Sequence, residues 1–278
     1  MPDFGSFRGF GEKLAQGQTP TQLGKIGSES AYDGDANSFF VRVSSAGGSL
    51  SNTEKVAVNQ LVLDMKSTGI WNSMKAVYPM VGASAAACAQ NLKSSSFTGT
   101  FSGGWTYSAN GITGNGSNTS LNTGIIPANN LLLNSTHISI YSRTDVNQIT
   151  ADLDAGDTNR LRLLLRFDNA IYYAMHNNGG YTGNITNANS TGFYIGSRTA
   201  TSQKLFKNNT AILSSGAGTG TLSSLNVYIG ALNNNPSPTL SSSRNYAFAS
   251  LGDGLTDTQA GNLYTAVQAF QTSLSRQV

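Results

Sequence analysis

Glutamate is missing from most of the sequence: the last one in the 278-residue chain is Glu54. Enzymes that cleave glycosidic bonds use two carboxyl groups, one held protonated as an acid and one acting as nucleophile or base. Four aspartates lie in residues 145–157, and their Gly-, Thr- and Asn-rich surroundings predict a solvated loop. A solvated carboxyl does not stay protonated near neutral pH. The carboxylate inventory therefore predicts that the protein is not an enzyme.

Cysteine and histidine are also scarce, with one cysteine and two histidines in the chain. A single cysteine excludes an intramolecular disulfide, and Cys88 lies among alanines, where a small buried side chain fits. His137 falls in a predicted strand, and His176 opens a turn at residues 176–180. Neither histidine has a serine, a cysteine or a metal ligand at a functional spacing, so both are predicted to be structural and a zinc site is not expected.

Charged residues make up only 11% of the chain, and its 17 basic and 14 acidic residues are scattered without a run. Nucleic-acid binding needs a clustered basic face, so no nucleic-acid partner is expected. No stretch approaches the roughly 20 apolar residues of a membrane helix, and the N-terminus lacks the apolar core of a signal peptide. The sequence therefore predicts a protein without a membrane partner that remains in the cytoplasm or leaves by lysis.

Residues 1–48 do not have the pattern of a domain. Phe4, Phe7 and Phe10 recur at every third position and Leu14 follows them. A short strand is predicted at residues 38–43. Disordered segments are poor in aromatic residues, which favours an extended arm whose Phe4, Phe7, Phe10 and Leu14 anchor it to a partner protein. The alternative is a floppy terminus.

Two capping boxes predict two helices. Ser51 and Glu54 open the first helix, which Gly69 terminates, and residues 71–78 continue its apolar face until Pro79 stops it. Thr256 and Gln259 open the second, an amphipathic C-terminal helix. Its apolar stripe consists of Leu263, Tyr264, Val267, Phe270 and Leu274.

Beyond residue 79 the chain has the pattern of short strands separated by turns. Asp168 and Asn169 join two alternating runs as a two-residue hairpin loop, because both residues tolerate positive φ. Strands are predicted at residues 99–101, 105–107, 137–142, 149–153, 161–167, 171–175, 192–196, 203–206, 211–213, 225–230 and 246–251.

Short strands with no helix between them predict an all-β protein, an antiparallel sandwich of two sheets. The predicted organisation is an extended N-terminal anchoring arm (1–48), a linker and helix (49–78), and a sandwich domain that ends in the amphipathic helix (79–278).

Two predicted strand ends are alike, since residues 193–196 and 227–230 both end in Tyr-Ile-Gly. Pairing of these two strands within one sheet would explain the similarity. These two strand ends occur in a fixed order with the hairpin at 205–210, the aromatic strand at 246–251 and the C-terminal helix. This order resembles that of the concanavalin A-like lectin/laminin-G-like jelly roll. It is similar in particular to the versions carried by tailed-phage virion structural proteins, whose introducing segment resembles residues 69–82. The resemblance covers about residues 70–278, and the order of its short motifs carries it.

The resemblance implies a jelly roll that contacts glycans or proteins and that serves decoration, fibres or host attachment in virions. The chain lacks the Glu-x-Asp-x-Glu strand of the hydrolytic branch. The calcium-binding branch carries an Asp/Asn cluster, to which Asp152, Asp154 and Asp157 are the nearest match. Carboxylate oxygens suit Ca²⁺, but acidic turns of this kind are also common without a metal. Tyr181 is the candidate for stacking on a sugar, the alternative being a tyrosine packed on the sheet.

Three interpretations remain open. The favoured one is a non-enzymatic phage virion structural protein, a capsid decoration or head-fibre module. It would be anchored by its arm to other virion proteins, assembled in the host cytoplasm and homo-oligomeric. The second is a tail-associated receptor-binding lectin that recognises a host surface glycan. The third is a glycosidase using Asp152 and Asp154, whose spacing of roughly 6–7 Å along a strand suits an inverting pair only loosely. No cofactor is expected apart from the calcium considered above.

Overall fold

Two antiparallel sheets packed face to face form the body of the protein. The computed structural model describes residues 32–156, 158–235 and 237–278. The helices in these residues are α1 (Gly34–Ser45), α2 (Asn52–Ser67), a 3-10 turn (Ile70–Ser73), α3 (Ala85–Cys88), α4 (Pro127–Asn130) and α5 (Asp257–Ser273). The strands are β1 (Met74–Tyr78), β2 (Thr100–Ser102), β3 (Thr106–Ser108), β4 (Gly111–Thr113), β5 (Ser120–Asn122), β6 (Thr136–Ser142), β7 (Leu153–Ala155), β8 (Asn159–Phe167), β9 (Ala170–Asn178), β10 (Gly183–Thr186), β11 (Gly192–Arg198), β12 (Ser202–Lys207), β13 (Thr210–Gly216), β14 (Tyr228–Ile229), β15 (Leu232–Asn234), β16 (Ser237–Thr239) and β17 (Asn245–Gly252).

The first sheet has eight strands in the order β13-β12-β11-β6-β17-β4-β3, with β1 also paired to β17. The second has seven, in the order β10-β9-β8-β7-β14-β5-β2, and β15 and β16 form a separate hairpin. All of these pairings are antiparallel. The predicted all-β antiparallel sandwich is confirmed.

The core lies between the sheets, where alternate residues of the central strands meet. Ile138 and Ile140 of β6 belong to the same fully buried cluster as Leu163 of β8. This spacing of two follows from the alternation of side chains along a strand. The sheets approach closely at Gly196 of β11, where a Cβ atom would lie only 2.9 Å from the sulfur of Met175 on the facing sheet.

Helix α5 covers the outer face of the eight-stranded sheet. The predicted capping box at its start is present. On this face the ring of Phe193 stacks on Tyr141, with centroids 6.0 Å apart, and meets Phe248 edge to face at 5.8 Å. Gln271 of α5 donates a hydrogen bond to the Ala247 carbonyl at 3.2 Å. The apolar stripe is buried at Leu263, Val267 and Phe270. The C-terminal helix is therefore an integral layer of the fold.

Helix α1 replaces the strand predicted at residues 38–43, which is wrong. Asp33 caps the helix, and its buried residues Ala36, Phe39, Phe40 and Val43 follow a helical period. The helix α2 ends at Ser67, beside the predicted terminator Gly69. The apolar residues beyond Gly69 do not extend a helical face, because the chain forms the 3-10 turn and then β1, which pairs with β17.

The compact unit Asp33–Val278 contains both of these segments. The sequence-based boundaries assigned residues 1–48 to an extended arm and residues 49–78 to a linker and helix. Phe4, Phe7, Phe10 and Leu14, the predicted anchoring residues, lie outside the described residues.

The two Tyr-Ile-Gly strand ends are not neighbours. β11 belongs to the eight-stranded sheet and β14 to the seven-stranded sheet, so the predicted pairing is wrong. The Asp168-Asn169 hairpin is confirmed, with φ of 50° and 56°. The strand predicted at 149–153 is shifted to β7. The strands β4, β5, β10, β15 and β16 were not predicted, because each has only three or four residues and is mostly polar.

Candidate functional site

Asp152, one of the predicted acidic residues, lies just before β7 and is fully buried. Its Oδ1 accepts hydrogen bonds from Arg244 Nη1 at 2.8 Å and from the Tyr246 hydroxyl, and its Oδ2 accepts one from the Leu165 amide at 2.7 Å. The carboxylate is thus neutralised by a guanidinium and held by an amide inside the protein. The prediction that it lies in a solvated loop is wrong.

Asp154 of β7 is equally buried and forms an ion pair with Arg162 of β8. The Asn233 amide donates to its Oδ2 at 2.8 Å. Burial raises the pKa of Asp154 to about 6, and the Arg162 guanidinium and the Asn233 amide act in the opposite direction. Asp152 and Asp154 therefore have separate arginine partners instead of forming one acidic site. Among the described residues, which exclude Asp157, no three potential metal ligands cluster.

His137 contacts a serine that the sequence did not indicate. Its Nε2 lies 3.1 Å from Ser250 Oγ, which lies 2.6 Å from Ser139 Oγ, and its Nδ1 lies 2.6 Å from the Asp253 carbonyl. The histidine and both serines are fully buried, so a substrate does not reach this Ser–His pair. Burial lowers the pKa of His137 to about 4. The geometry supports the predicted structural role.

His176 was predicted to open a turn but lies within β9. It is fully buried, and its Nε2 is 3.1 Å from the Thr136 hydroxyl. Burial, together with the positive charge of Arg198, lowers the pKa of His176 to about 3. Both histidines are therefore neutral parts of the interior at physiological pH.

Two neighbouring tyrosines lie half-buried on the outer side of the seven-stranded sheet. Tyr172 of β9 and Tyr181 of the β9–β10 loop have ring centroids 5.1 Å apart, with planes at 52°. Phe167 extends the row, 5.9 Å from Tyr172, and the Arg160 guanidinium lies 5.1 Å from the centre of the Tyr181 ring. We call Tyr172 and Tyr181 the tyrosine platform. Tyr181 thus packs partly on the sheet and keeps part of its surface accessible.

A polar cleft of about 390 Å³ opens between the β7–β8 loop, residues 223–225 and the β15–β16 hairpin. Amides and hydroxyls dominate its lining, and we call it the asparagine cleft. Its polar side chains include those of Thr158, Asn159, Ser223, Asn233, Asn234 and Asn235. Asn234 and Asn235 are exposed. The cleft therefore offers many hydrogen-bond donors and acceptors that carry no net charge.

The buried Arg162–Asp154 pair supports the asparagine cleft from within the protein. Besides its ion pair with Asp154, Arg162 donates from Nη2 to the Gly156 carbonyl at 2.9 Å, and Gly156 lines the cleft. Asp154 in turn accepts a hydrogen bond from the Asn233 amide of the cleft. The buried ion pair thus holds two residues of the cleft in place.

Sequence reasoning found Tyr181 and missed Tyr172 and the asparagine cleft. Tyr172 alternates with the core residues Ile171 and Tyr173 along β9, and this alternation is the signal that could have placed it on the outer face. The run at residues 233–235 was interpreted only as a turn. Its position beside the β7–β8 loop depends on long-range packing, for which the sequence has no local signal.

An apolar groove of about 400 Å³ separates α2 from α5. Leu61 and Phe270 form its floor and are at most 2% exposed, whereas Val56 at its rim is 53% exposed. It lies on the helical side of the molecule and contains no cluster of titratable residues. In the described residues, no helix combines the length and the hydrophobicity needed to cross a membrane.

Comparisons with known proteins place the chain near several β-sandwich domains. No protein-family model and no curated protein matches the sequence. Domain 4 of AbnA, a GH43 extracellular arabinanase from Geobacillus stearothermophilus, solved in complex with arabinotriose, is 12% identical. The match covers 69% of this chain and 98% of that one, with a TM-score of 0.49.

Two further structures are similar at the same level. The Ruminococcus gnavus IT-sialidase CBM40 bound to alpha2,3 sialyllactose is 14% identical over 49% of this chain and 83% of that one, with a TM-score of 0.39. The botulinum neurotoxin serotype D binding domain is 9% identical over 70% of this chain and 52% of that one, with a TM-score of 0.47.

Proposed function

We propose that this protein is a non-catalytic glycan-binding module. The observation that carries the proposal is the accessible tyrosine platform beside the asparagine cleft. A tyrosine combines an apolar ring with a polar tip, which suits the C–H face and the hydroxyls of a sugar. Asparagine amides both donate and accept hydrogen bonds. A concave site with a few fixed polar groups is the usual form of a small-ligand site.

The absence of catalysis remains part of the proposal, and the aspartates support it. Asp152 and Asp154 are each neutralised by a buried arginine. Asp145 pairs with Arg166 at 2.7 Å. A glycosidase needs two carboxyl groups that both reach the sugar. The described aspartates nearest to the cleft do not meet this condition.

Glycan binding can be tested with the platform tyrosines. The full chain is applied to a glycan array, and the affinity of the best ligand is measured by calorimetry. We expect Tyr172→Ala and Tyr181→Ala each to weaken binding about fivefold or more, because a lost ring contact of this kind costs on the order of 1 kcal/mol or more. The control is Tyr264→Ala, which removes a half-buried tyrosine from α5 on the helical side.

Two outcomes would contradict the proposal. One is an array on which the protein binds no glycan. The other is binding that both platform substitutions leave unchanged. In the same preparations we expect no release of reducing sugar from the bound glycan or its polymer, and reproducible release by the pure protein would contradict the non-catalytic part alone.

A second, finer proposal is that the module belongs to a phage virion, as a capsid decoration or head fibre or, alternatively, as a tail-associated receptor-binding protein. The sequence resemblance supports this assignment. The exposed rim of the groove between α2 and α5 is a further feature suited to contact with another protein. Phe4, Phe7, Phe10 and Leu14 are proposed to bury against another virion protein, each phenylalanine contributing roughly 1.5–3 kcal/mol.

The virion proposal is tested by deleting residues 1–31. The cut precedes α1, because α1 belongs to the compact unit that begins at Asp33. We expect the shortened protein to fold and to bind glycan as before but to be absent from purified particles. Alanine at Phe4, Phe7 and Phe10 in the full chain should have the same effect. Undiminished incorporation of both variants would contradict anchoring by these residues.

A further inference from the structure

The sandwich leaves two strand edges open on one side. β10 ends the seven-stranded sheet and β13 ends the eight-stranded sheet, and among the described strands none pairs with their outer edges. The two strands are neighbours, since a Cβ atom on Gly183 of β10 would lie 3.6 Å from a methyl carbon of Leu213 on β13. We call β10 and β13 together the open rim.

The open rim carries no charged residue and no proline, although an open edge exposes unpaired N–H and C=O groups that other strands can bind. β10 has the sequence Gly-Asn-Ile-Thr, and β13 has the sequence Thr-Ala-Ile-Leu-Ser-Ser-Gly. One irregularity interrupts β13, where its register against β12 shifts at Ile212. Residues 213–216 follow in regular register, and the last three of them, Ser214, Ser215 and Gly216, are exposed.

The opposite side of the sandwich is protected in a way that the open rim is not. Its edge strands, β2 and β3, have only three residues each, and very short strands are a common protection against edge pairing. The rings of Phe101 and Tyr107 also pack against each other there, 5.2 Å apart. Strand β1 also pairs on one side only, but it is mostly buried and carries Lys75. Among the described strands, only those of the open rim therefore combine a length of more than three residues, accessibility and a lack of charge.

A second copy of this chain suits the open rim as a partner. The lysines of the adjacent strand β12 already have partners: Lys204 pairs with Asp257 at 2.7 Å, and Lys207 donates to Asn187 at 2.9 Å. Antiparallel pairing about a twofold axis brings the same uncharged segment of each copy together, so that no like charges meet. It would also cover Ile185 of β10, which is 39% exposed.

We propose that two copies associate edge to edge through the open rim, with residues 213–216 of β13 paired antiparallel to the same residues of the second copy. Tyr172 is in register with Asn184 of β10, so the tyrosine platform lies one strand from the rim. The dimer therefore brings two platforms near each other for a repeating glycan. This last consequence rests on the proposed function, whereas the dimer does not.

The test is sedimentation velocity of the full chain over a dilution series. We expect the natural sequence to form a dimer. Ser214→Lys combined with Ser215→Lys places lysine opposite lysine across the twofold axis and should weaken the dimer at least about tenfold. The corresponding aspartate pair, Ser214→Asp with Ser215→Asp, should do the same. A mixture of the lysine and aspartate variants should form a heterodimer.

The matched control is Thr100→Lys with Ser102→Lys on β2, two exposed positions on the opposite edge, which should remain dimeric. A natural protein that is monomeric at every concentration would overturn the proposal. So would a dimer that survives the lysine pair, a dimer that the control abolishes, or a mixture that stays monomeric.

Hydrogen exchange of the natural protein gives a second measurement that needs no variant to fold. We expect amides in residues 213–216 to exchange more slowly as the protein concentration rises, and exchange independent of concentration would overturn the proposal. Affinity for a monovalent glycan should be equal in the natural protein and the lysine variant. Failure to bind glycan would thus count against the proposed function and leave the dimer result unaffected.

Discussion

Three arginines, Arg198, Arg244 and Arg276, are the largest fully buried side chains of the described residues. A buried guanidinium must have its charge or its N–H groups matched by acceptors. Arg244 has Asp152 as its counter-ion, whereas Arg276 binds backbone carbonyls, including those of Pro79 and Ala247. Each of these side chains thus connects segments that lie far apart in the sequence.

Removing the carboxylate of Asp152 should destabilise the protein strongly. Asp152→Asn leaves the Arg244 guanidinium buried without its counter-ion, and breaking such a pair costs about 3–5 kcal/mol. We expect a loss of this size in the free energy of unfolding measured with urea. Asp168→Asn is the control: this aspartate is exposed in a hairpin turn at φ 50°, and the change should stay within about 0.5 kcal/mol. Equal stabilities of the two variants would contradict the structural role of Asp152.

The buried histidines predict a loss of stability in mild acid. Burial lowers the pKa of His137 to about 4 and that of His176 to about 3 in the folded protein, below the ordinary histidine value of 6.5. The unfolded chain therefore binds more protons below pH 6.5, and at pH 5 each histidine costs about 2 kcal/mol. Asp154, whose pKa is raised to about 6, offsets about 1 kcal/mol in the same range.

The net expectation is a fall of about 3 kcal/mol in the free energy of unfolding between pH 7 and pH 5. Urea unfolding at the two pH values measures this fall. The variant His176→Gln should lose roughly half of the histidine contribution to the pH dependence and keep the rest. An unfolding free energy that is constant between these pH values would show that the histidines are not buried in neutral form.

Single residues were predictable where their role is local. Asp168 and Asn169 were placed correctly because a two-residue hairpin depends on their own φ preference. Asp152 and Asp154 were not, because their partners decide their environment. Arg244 follows Asp152 by 92 positions, and no sequence pattern connects the two.

At the scale of elements, α5 is held to the sandwich by its apolar stripe. Phe270 is 2% exposed, and the Arg276 guanidinium lies 5.1 Å from the centre of its ring. Phe270→Ala should therefore cost about 3–5 kcal/mol, measured as a lower melting temperature and a lower free energy of unfolding. The control Thr265→Ala, on the exposed side of the same helix, should change little. An unchanged melting temperature for Phe270→Ala would mean that the helix does not depend on this contact.

Elements were predictable where capping residues mark their start. α2 and α5 begin at the predicted capping boxes. The segment that forms β1 was misassigned because its apolar residues fit a helical period, and only its pairing with β17 makes it a strand. In α1, aromatic and β-branched residues indicated a strand, yet Asp33 and the burial of Phe39 and Val43 fit a helix. The strand propensity of six residues is too weak to outweigh the tertiary packing that favours a helix.

At the scale of the whole molecule, the sequence predicted the class of fold but not the assembly of the candidate site. Alternation and turn residues predict a sandwich, since they depend on neighbouring positions. The cleft instead combines the β7–β8 loop with residues 223–225 and with the β15–β16 hairpin. These segments meet because of the order of the strands in the two sheets. No local pattern in the sequence predicts that order.

The positions of the two tryptophans have a consequence for spectroscopy. Trp71 lies in the 3-10 turn after α2, with the Lys93 ammonium 4.5 Å from its ring centre, while Trp105 packs in the sandwich core against Phe101. Because β1 joins the helical segment to the eight-stranded sheet, both should unfold in one transition. The tryptophan fluorescence of Trp71→Phe and of Trp105→Phe, each of which keeps a single tryptophan, should then show the same slope against denaturant. A smaller slope for the emission of Trp71 would reveal that the helices melt before the sheets, in an intermediate that fluorescence can detect directly.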